Sequence, residues 1–170
     1  RSPSRGLGDV YKRQRLETIV AASQFQSAEA MEVASRVLDA PTDRFLEAAL
    51  RQCAHALQPW WFASLQEGKL AISDARQLAF LLKQTTGQDA ARIARSILEG
   101  QTINRNSATF ATLAKVLATQ GTLEDLEWLI STAYKFRENA APALAALVES
   151  ARLRNLKPRS PVLQLLLVFA

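Results

Sequence analysis

From Thr42 to Leu70 the chain reads TDRFLEAALRQCAHALQPWWFASLQEGKL, and this stretch limits the fold more than any other. Thr42 is a good helix N-cap, with Asp43 and Glu47 close to the positive end of the helix that follows. Phe45, Leu46, Ala49, Leu50, Cys53, Ala56 and Leu57 then form a broad apolar stripe of helical period. Pro59 interrupts that helix but suits the first turn of a second, shorter one, and Gly68 supplies its C-terminal cap. The second helix carries Trp60, Trp61, Phe62 and Leu65, and three consecutive aromatic rings cannot all point inward from a helix. One ring is therefore expected to plug the joint between helices while another covers the rim. Exposed aromatic faces also stack sugars or bases, but packing is the favoured reading beside a helix break.

The rest of the chain repeats this helix-break-helix pattern. Leu16, Ile19, Val20 and Phe25 place apolar groups on one side of a helix starting at Arg15. Ser27 caps a second helix with Met31, Ala34, Val37 and Leu38, which Pro41 stops. Ser73 opens a helix with Leu78, Ala79, Leu81 and Leu82, and its partner carries Ile93, Ala94, Ile97 and Leu98. A helix starting at Asn106 or Ser107 presents Phe110, Leu113, Val116 and Leu117. Thr122 and Asp125 then form a capping box with a shortened acid, ahead of Leu126, Leu129 and Ile130. A last pair starts near Asn139. Pair starts at Arg15, Thr42, Ser73, Asn106 and Asn139 lie 27, 31, 33 and 33 residues apart. One helix pair cannot bury both of its stripes, so pairs recurring at this period stack into a shared core. The expectation is an all-α fold, an α-solenoid of about five HEAT/armadillo-like antiparallel helix pairs, with an irregular helical bundle as the alternative. The Trp, Gly, Tyr and Pro offsets of a tetratricopeptide array are absent. Low punctuation, 6 Gly and 6 Pro in 170 residues, argues against a sandwich of many short strands.

Both ends of the chain differ from its middle. Residues 1–14, RSPSRGLGDVYKRQ, lack apolar periodicity and resemble translated sequencing adapter; they are read as an artefact or a disordered basic arm, outside a repeat domain of residues 15–170. The chain ends on VLQLLLVFA, far shorter than the roughly 20 apolar residues of a membrane span. So apolar a run needs cover on both sides, and a domain truncated at both ends is expected.

Charge and residue counts restrict the chemistry. The net charge is +5, but residues 1–14 hold +3 of it, leaving +2 over the remaining 156 residues. That balance disfavours a nucleic-acid-binding helical-repeat protein, which is the second reading of the function. One Cys and one His exclude an internal disulfide and a Cys/His metal site. Cys53 and His55 stand two apart on one helix and face different ways, so they make no catalytic pair. There is no phosphate loop and no nucleophile elbow. No catalytic residue, cofactor or metal is expected, and the protein is not expected to be an enzyme. The candidates for an interaction surface are Trp60, Trp61 and the basic cluster Arg152, Arg154, Lys157 and Arg159. Their expected partners are flanking domains of a larger protein or another protein, with no membrane span.

Residues Arg15 to Leu82 also carry a family likeness. The segments RLETIVAASQF, SAEAMEVASRVLDAPTDRFLEAALRQCAHALQPWW and LQEGKL resemble the helical-repeat segment of large secreted proteins from planctomycetes and their relatives. Those proteins join a dehydrogenase-like β-propeller, HEAT-type repeats and a C-terminal c-type cytochrome with a Cys-x-x-Cys-His motif. The resemblance implies a spacer between such modules, outside the cytoplasm. None of the family's catalytic or haem-binding residues falls within the matching part, and Cys53-Ala54-His55 lacks the second Cys of a haem attachment site.

Overall fold

A computed structural model describes residues 4–70, 72, 74–100, 107–133 and 140–154. Among them the chain is all-helical, with nine α-helices, one 3₁₀ turn and no strand. No helix among the described residues is long and apolar enough to cross a membrane. The chain divides into two compact units, Arg1–Ile72 and Ser73–Ala170.

The first unit contains α1 (Ser4–Ala22), α2 (Ala28–Ser35), the 3₁₀ turn Arg36–Asp39, α3 (Arg44–Ala56) and α4 (Gln58–Gln66). Helix α1 packs on α2 and α3, and α2 packs on α3 and α4. Its core holds Ile19, Met31, Ala34, Leu46, Leu50, Cys53, Leu57, Trp61 and Leu65. Of the stripe expected on α1, only Ile19 is buried. Leu16, Val20 and Phe25 are exposed, and the buried positions are Arg15, Ile19 and Ala22, which share the spacing of one helix face. The face turned to the core is thus headed by a cation, a residue that apolar periodicity passes over. Helix α1 also begins at Ser4, ahead of Arg15, and Arg13 pairs with Glu17 one turn later at 2.9 Å.

Arg15 is buried because its guanidinium replaces missing helix partners. It donates to the carbonyls of Pro41 at 2.8 Å and Ala40 at 3.1 Å and to that of Val37, and its charge lies 5.5 Å from the Tyr11 ring centre. These carbonyls belong to the end of the 3₁₀ turn and the residues after it, where no following turn offers N–H groups. One side chain closes the α2–α3 connection.

The N-caps follow the sequence with two shifts. Ser27 caps α2 as expected, accepting from the Ala30 N–H at 3.3 Å. Helix α3 is capped by Asp43 rather than Thr42: its Oδ1 accepts from the N–H groups of Phe45 and Leu46 at 3.1 and 3.0 Å. Thr42 instead donates its hydroxyl to Glu47 at 2.9 Å. Ionised Asp meets the helix dipole with full charge, whereas Thr offers only a hydroxyl. The Leu46 N–H bond holds the Asp43 carboxyl below the usual range, against burial and with help from Phe45 and Lys12. Phe45, expected in the stripe, is 64% exposed with the Arg44 guanidinium 4.7 Å from its ring centre. Gly68 closes α4 at φ +66°, a left-handed conformation that a side chain rarely adopts.

The second unit contains α5 (Ala75–Lys83), α6 (Gly87–Glu99), α7 (Ser107–Gln120), α8 (Leu123–Ala133) and α9 (Ala140–Leu153). Helix α7 is central and touches α5, α6, α8 and α9. Leu78, Leu81, Leu82, Ile93, Ala94, Ile97, Leu98, Phe110, Leu113, Leu117, Leu126 and Leu129 are buried, as their spacing predicts. Asp74 caps α5 through the N–H groups of Arg76 and Gln77 at 2.8 and 3.2 Å. Ser73, the expected cap, lies outside the described residues, as do Asn106, Asn139 and the terminal run VLQLLLVFA.

Candidate functional site

The two tryptophans separate as the crowding of three rings requires. Trp61 is fully buried, donates its indole N–H to the Ala54 carbonyl at 2.7 Å, and meets Phe62 edge to face at 6.0 Å. It belongs to the packing and offers no interaction surface. Trp60 is half-buried.

The basic cluster is described in part. Arg152 is exposed in the last turn of α9, while Arg154 donates to the Ala118 carbonyl at 3.1 Å. The Ser150 hydroxyl donates to the same carbonyl from a buried position. Both groups complete the C-terminal end of α7, where cations are favoured by the helix dipole. Arg154 thus has a structural task. Lys157 and Arg159 lie outside the described residues.

Cys53 and His55 are on opposite sides of the solvent boundary. Cys53 is 2% exposed, and burial pushes its thiol from 9.0 up to about 11, far from the thiolate a nucleophile needs. His55 is exposed. Among the described residues no three His, Cys, Asp or Glu side chains are grouped to hold a metal ion.

A polar cleft in the second unit was not foreseen from the sequence. It has a volume of about 320 Å³ and lies between α6, the end of α7 and the start of α8. Beneath its exposed residues lies Arg95, which donates to Asp125 at 2.8 Å and to Glu99 at 2.9 Å and stands 5.2 Å from the Trp128 ring centre. Asp125 also completes the capping box expected at Thr122. Its Oδ2 accepts from the Thr122 N–H at 2.8 Å and from the Thr122 hydroxyl at 2.9 Å. The Asp125 N–H returns a 3.3 Å bond to the Thr122 hydroxyl oxygen. Burial pushes the Asp125 carboxyl up, but the bonds from Arg95 and Thr122 outweigh it and hold the group below the usual range. Gly121 is required before this box, since a Cβ there would collide with the Leu117 carbonyl and stand 3.0 Å from the Asp125 Cβ.

The exposed residues of the cleft are differently held. Arg92 reaches Asp89 only at 3.5 Å, and Asp89 already accepts the Thr86 hydroxyl. Gln88, Gln120 and Glu124 are exposed and line the same cleft. The sequence signal for this site was limited to the Thr122–Asp125 spacing, because Arg95 lies thirty residues away from Asp125. Comparison with protein-family models, curated proteins and solved structures finds no match to the chain.

Proposed function

We propose that the chain is a non-catalytic helical-repeat scaffold, a segment that holds neighbouring modules or binds another protein. The observation that carries this reading is a recurrence in the helices themselves. Helices α3, α5, α7 and α9 begin at residues 44, 75, 107 and 140, intervals of 31, 32 and 33. Within each unit, contacts reach the next helix but one: α1 with α3 and α2 with α4, then α5 with α7 and α7 with α9. Stacked helix pairs produce this pattern, because each pair buries its stripes against the following pair. Side-chain ties keep the same period: Arg95 to Asp125 spans 30 residues and Ser150 to Ala118 spans 32. HEAT-like pairing accounts for all of these features together.

The resemblance of Arg15–Leu82 to the repeat segment of secreted propeller–cytochrome proteins adds the role of a spacer outside the cytoplasm. Sequencing the source locus on both sides of the chain tests that role. A dehydrogenase-like propeller on one side and a Cys-x-x-Cys-His motif on the other would support it. A start codon and a stop codon close to the two ends would leave a free-standing repeat adaptor and remove the redox connection.

A further inference from the structure

We propose that the cleft between α6 and the start of α8 binds an extended polypeptide bearing one acidic and one basic side chain. Arg92 takes the acidic group and Glu124 the basic one. The choice of a polypeptide as occupant rests on the scaffold reading; the site itself rests on its own residues.

The cleft separates into a fixed base and an available rim. Arg95 is held by two carboxylates and a tryptophan face, and Asp125 by Arg95 and Thr122. These groups satisfy one another, so a ligand need not neutralise them and does not need to order them. The rim differs. Glu124 is exposed and has no hydrogen bond or ion pair among the described residues, and Arg92 has only its long contact with Asp89. One cation and one anion lining the same cleft favour a ligand that presents both signs over one that presents either sign twice. Gln88 and Gln120 add two primary amides, each with a donor and an acceptor, which is the hydrogen-bonding complement of a peptide unit.

The polar, exposed lining favours a passing chain over an engulfed small molecule. Small-molecule pockets are enclosed, mainly apolar and roughly 300–1,000 Å³. This cleft is at the lower end of that range, about 320 Å³, and most of its lining residues are polar and exposed. A polypeptide lying across it would gain from pairs of charges and amides without being engulfed.

The experiment uses the full chain and an array of alanine-serine peptides bearing one Glu and one Lys, in both orders and at graded separations. At least one mixed-charge peptide should bind better than the uncharged control. Arg92→Glu and Glu124→Lys should each weaken that binding about fivefold or more, since an exposed ion pair contributes up to about 1 kcal/mol and reversal adds repulsion. The double variant should regain affinity for peptides of the opposite order. Both positions are exposed, and circular dichroism confirms that the variants fold. Binding by no mixed-charge peptide, or binding that neither reversal alters, would overturn the cleft as a peptide site. Either result would leave the scaffold reading standing, since that reading depends on repeat spacing and on the flanking sequence.

Discussion

The indole N–H of Trp61 donates to the carbonyl of Ala54, seven residues earlier, across the break between α3 and α4. Pro59 has no N–H, and the helix resets at Leu57, so carbonyls at the end of α3 lose their regular partners. A fully buried ring supplies one replacement. Trp61→Phe keeps most of the packing but leaves the Ala54 carbonyl unpaired, and should cost about 1–3 kcal/mol in urea unfolding. Trp61→Ala adds a cavity and should cost about 3–5 kcal/mol. Equal effects of the two substitutions would mean that the hydrogen bond dominates.

Arg15 should behave as a structural cation. Arg15→Met retains the stem and removes the donors to Val37, Ala40 and Pro41, and a loss of about 1–3 kcal/mol is expected from the unpaired carbonyls. Arg15→Lys should recover only part of it, because one ammonium lacks the planar fork that reaches several acceptors. The urea midpoints of the three proteins decide the order. A lysine variant as stable as the parent would show that charge, and not the fork, closes the α2–α3 turn.

Acid should weaken the cleft through Asp125. Its folded carboxyl lies below the usual range, so its contribution to stability is complete above the unfolded value of about 3.9 and is lost as pH falls through the lower folded value. Asp125→Asn should therefore lower stability at neutral pH and flatten the acid limb of the stability profile. Thermal melts of both proteins over that range provide the measurement. Parallel acid limbs would place the titration elsewhere.

Cys53 should report unfolding. Its buried thiol, raised to about 11, should resist iodoacetamide in the folded protein at neutral pH and react on denaturation, so that labelling follows the open population. The sign of the pH effect is opposite to that of Asp125. The unfolded thiol ionises first as pH rises, and stability should fall between about 9 and about 11. Cys53→Ala should remove that part of the alkaline loss. Rapid alkylation under native conditions would contradict the packing.

Helical period was easiest to read where the buried face was wholly apolar. Ile93, Ala94, Ile97 and Leu98 all lie in the core, and α6 matches its expected stripe. On α1 the buried face is rotated from the apolar stripe, because Arg15 occupies a core position by bonding carbonyls that lie 22 to 26 residues ahead. Caps were legible to within one residue. Thr42 and Asp43 both carry suitable oxygens, and only the backbone of α3 decides between them. The Trp60–Trp61 pair showed that one ring must be inside, but not which. The polar cleft was hardest, since Gln88, Arg92, Gln120 and Glu124 become neighbours only when α6 meets the α7–α8 turn.

The ties from Arg95 to Asp125 and from Ser150 to Ala118 also restrict how a chain like this could change in length. One residue inserted in a helix turns everything beyond it by about 100°. An insertion in α9 ahead of Ser150 would swing its hydroxyl off the Ala118 carbonyl and carry Leu147 or its replacement out of the core. Variants of this chain that gained or lost residues would therefore survive where the change falls between helices. Among them, helix lengths should stay nearly constant while the connecting segments drift.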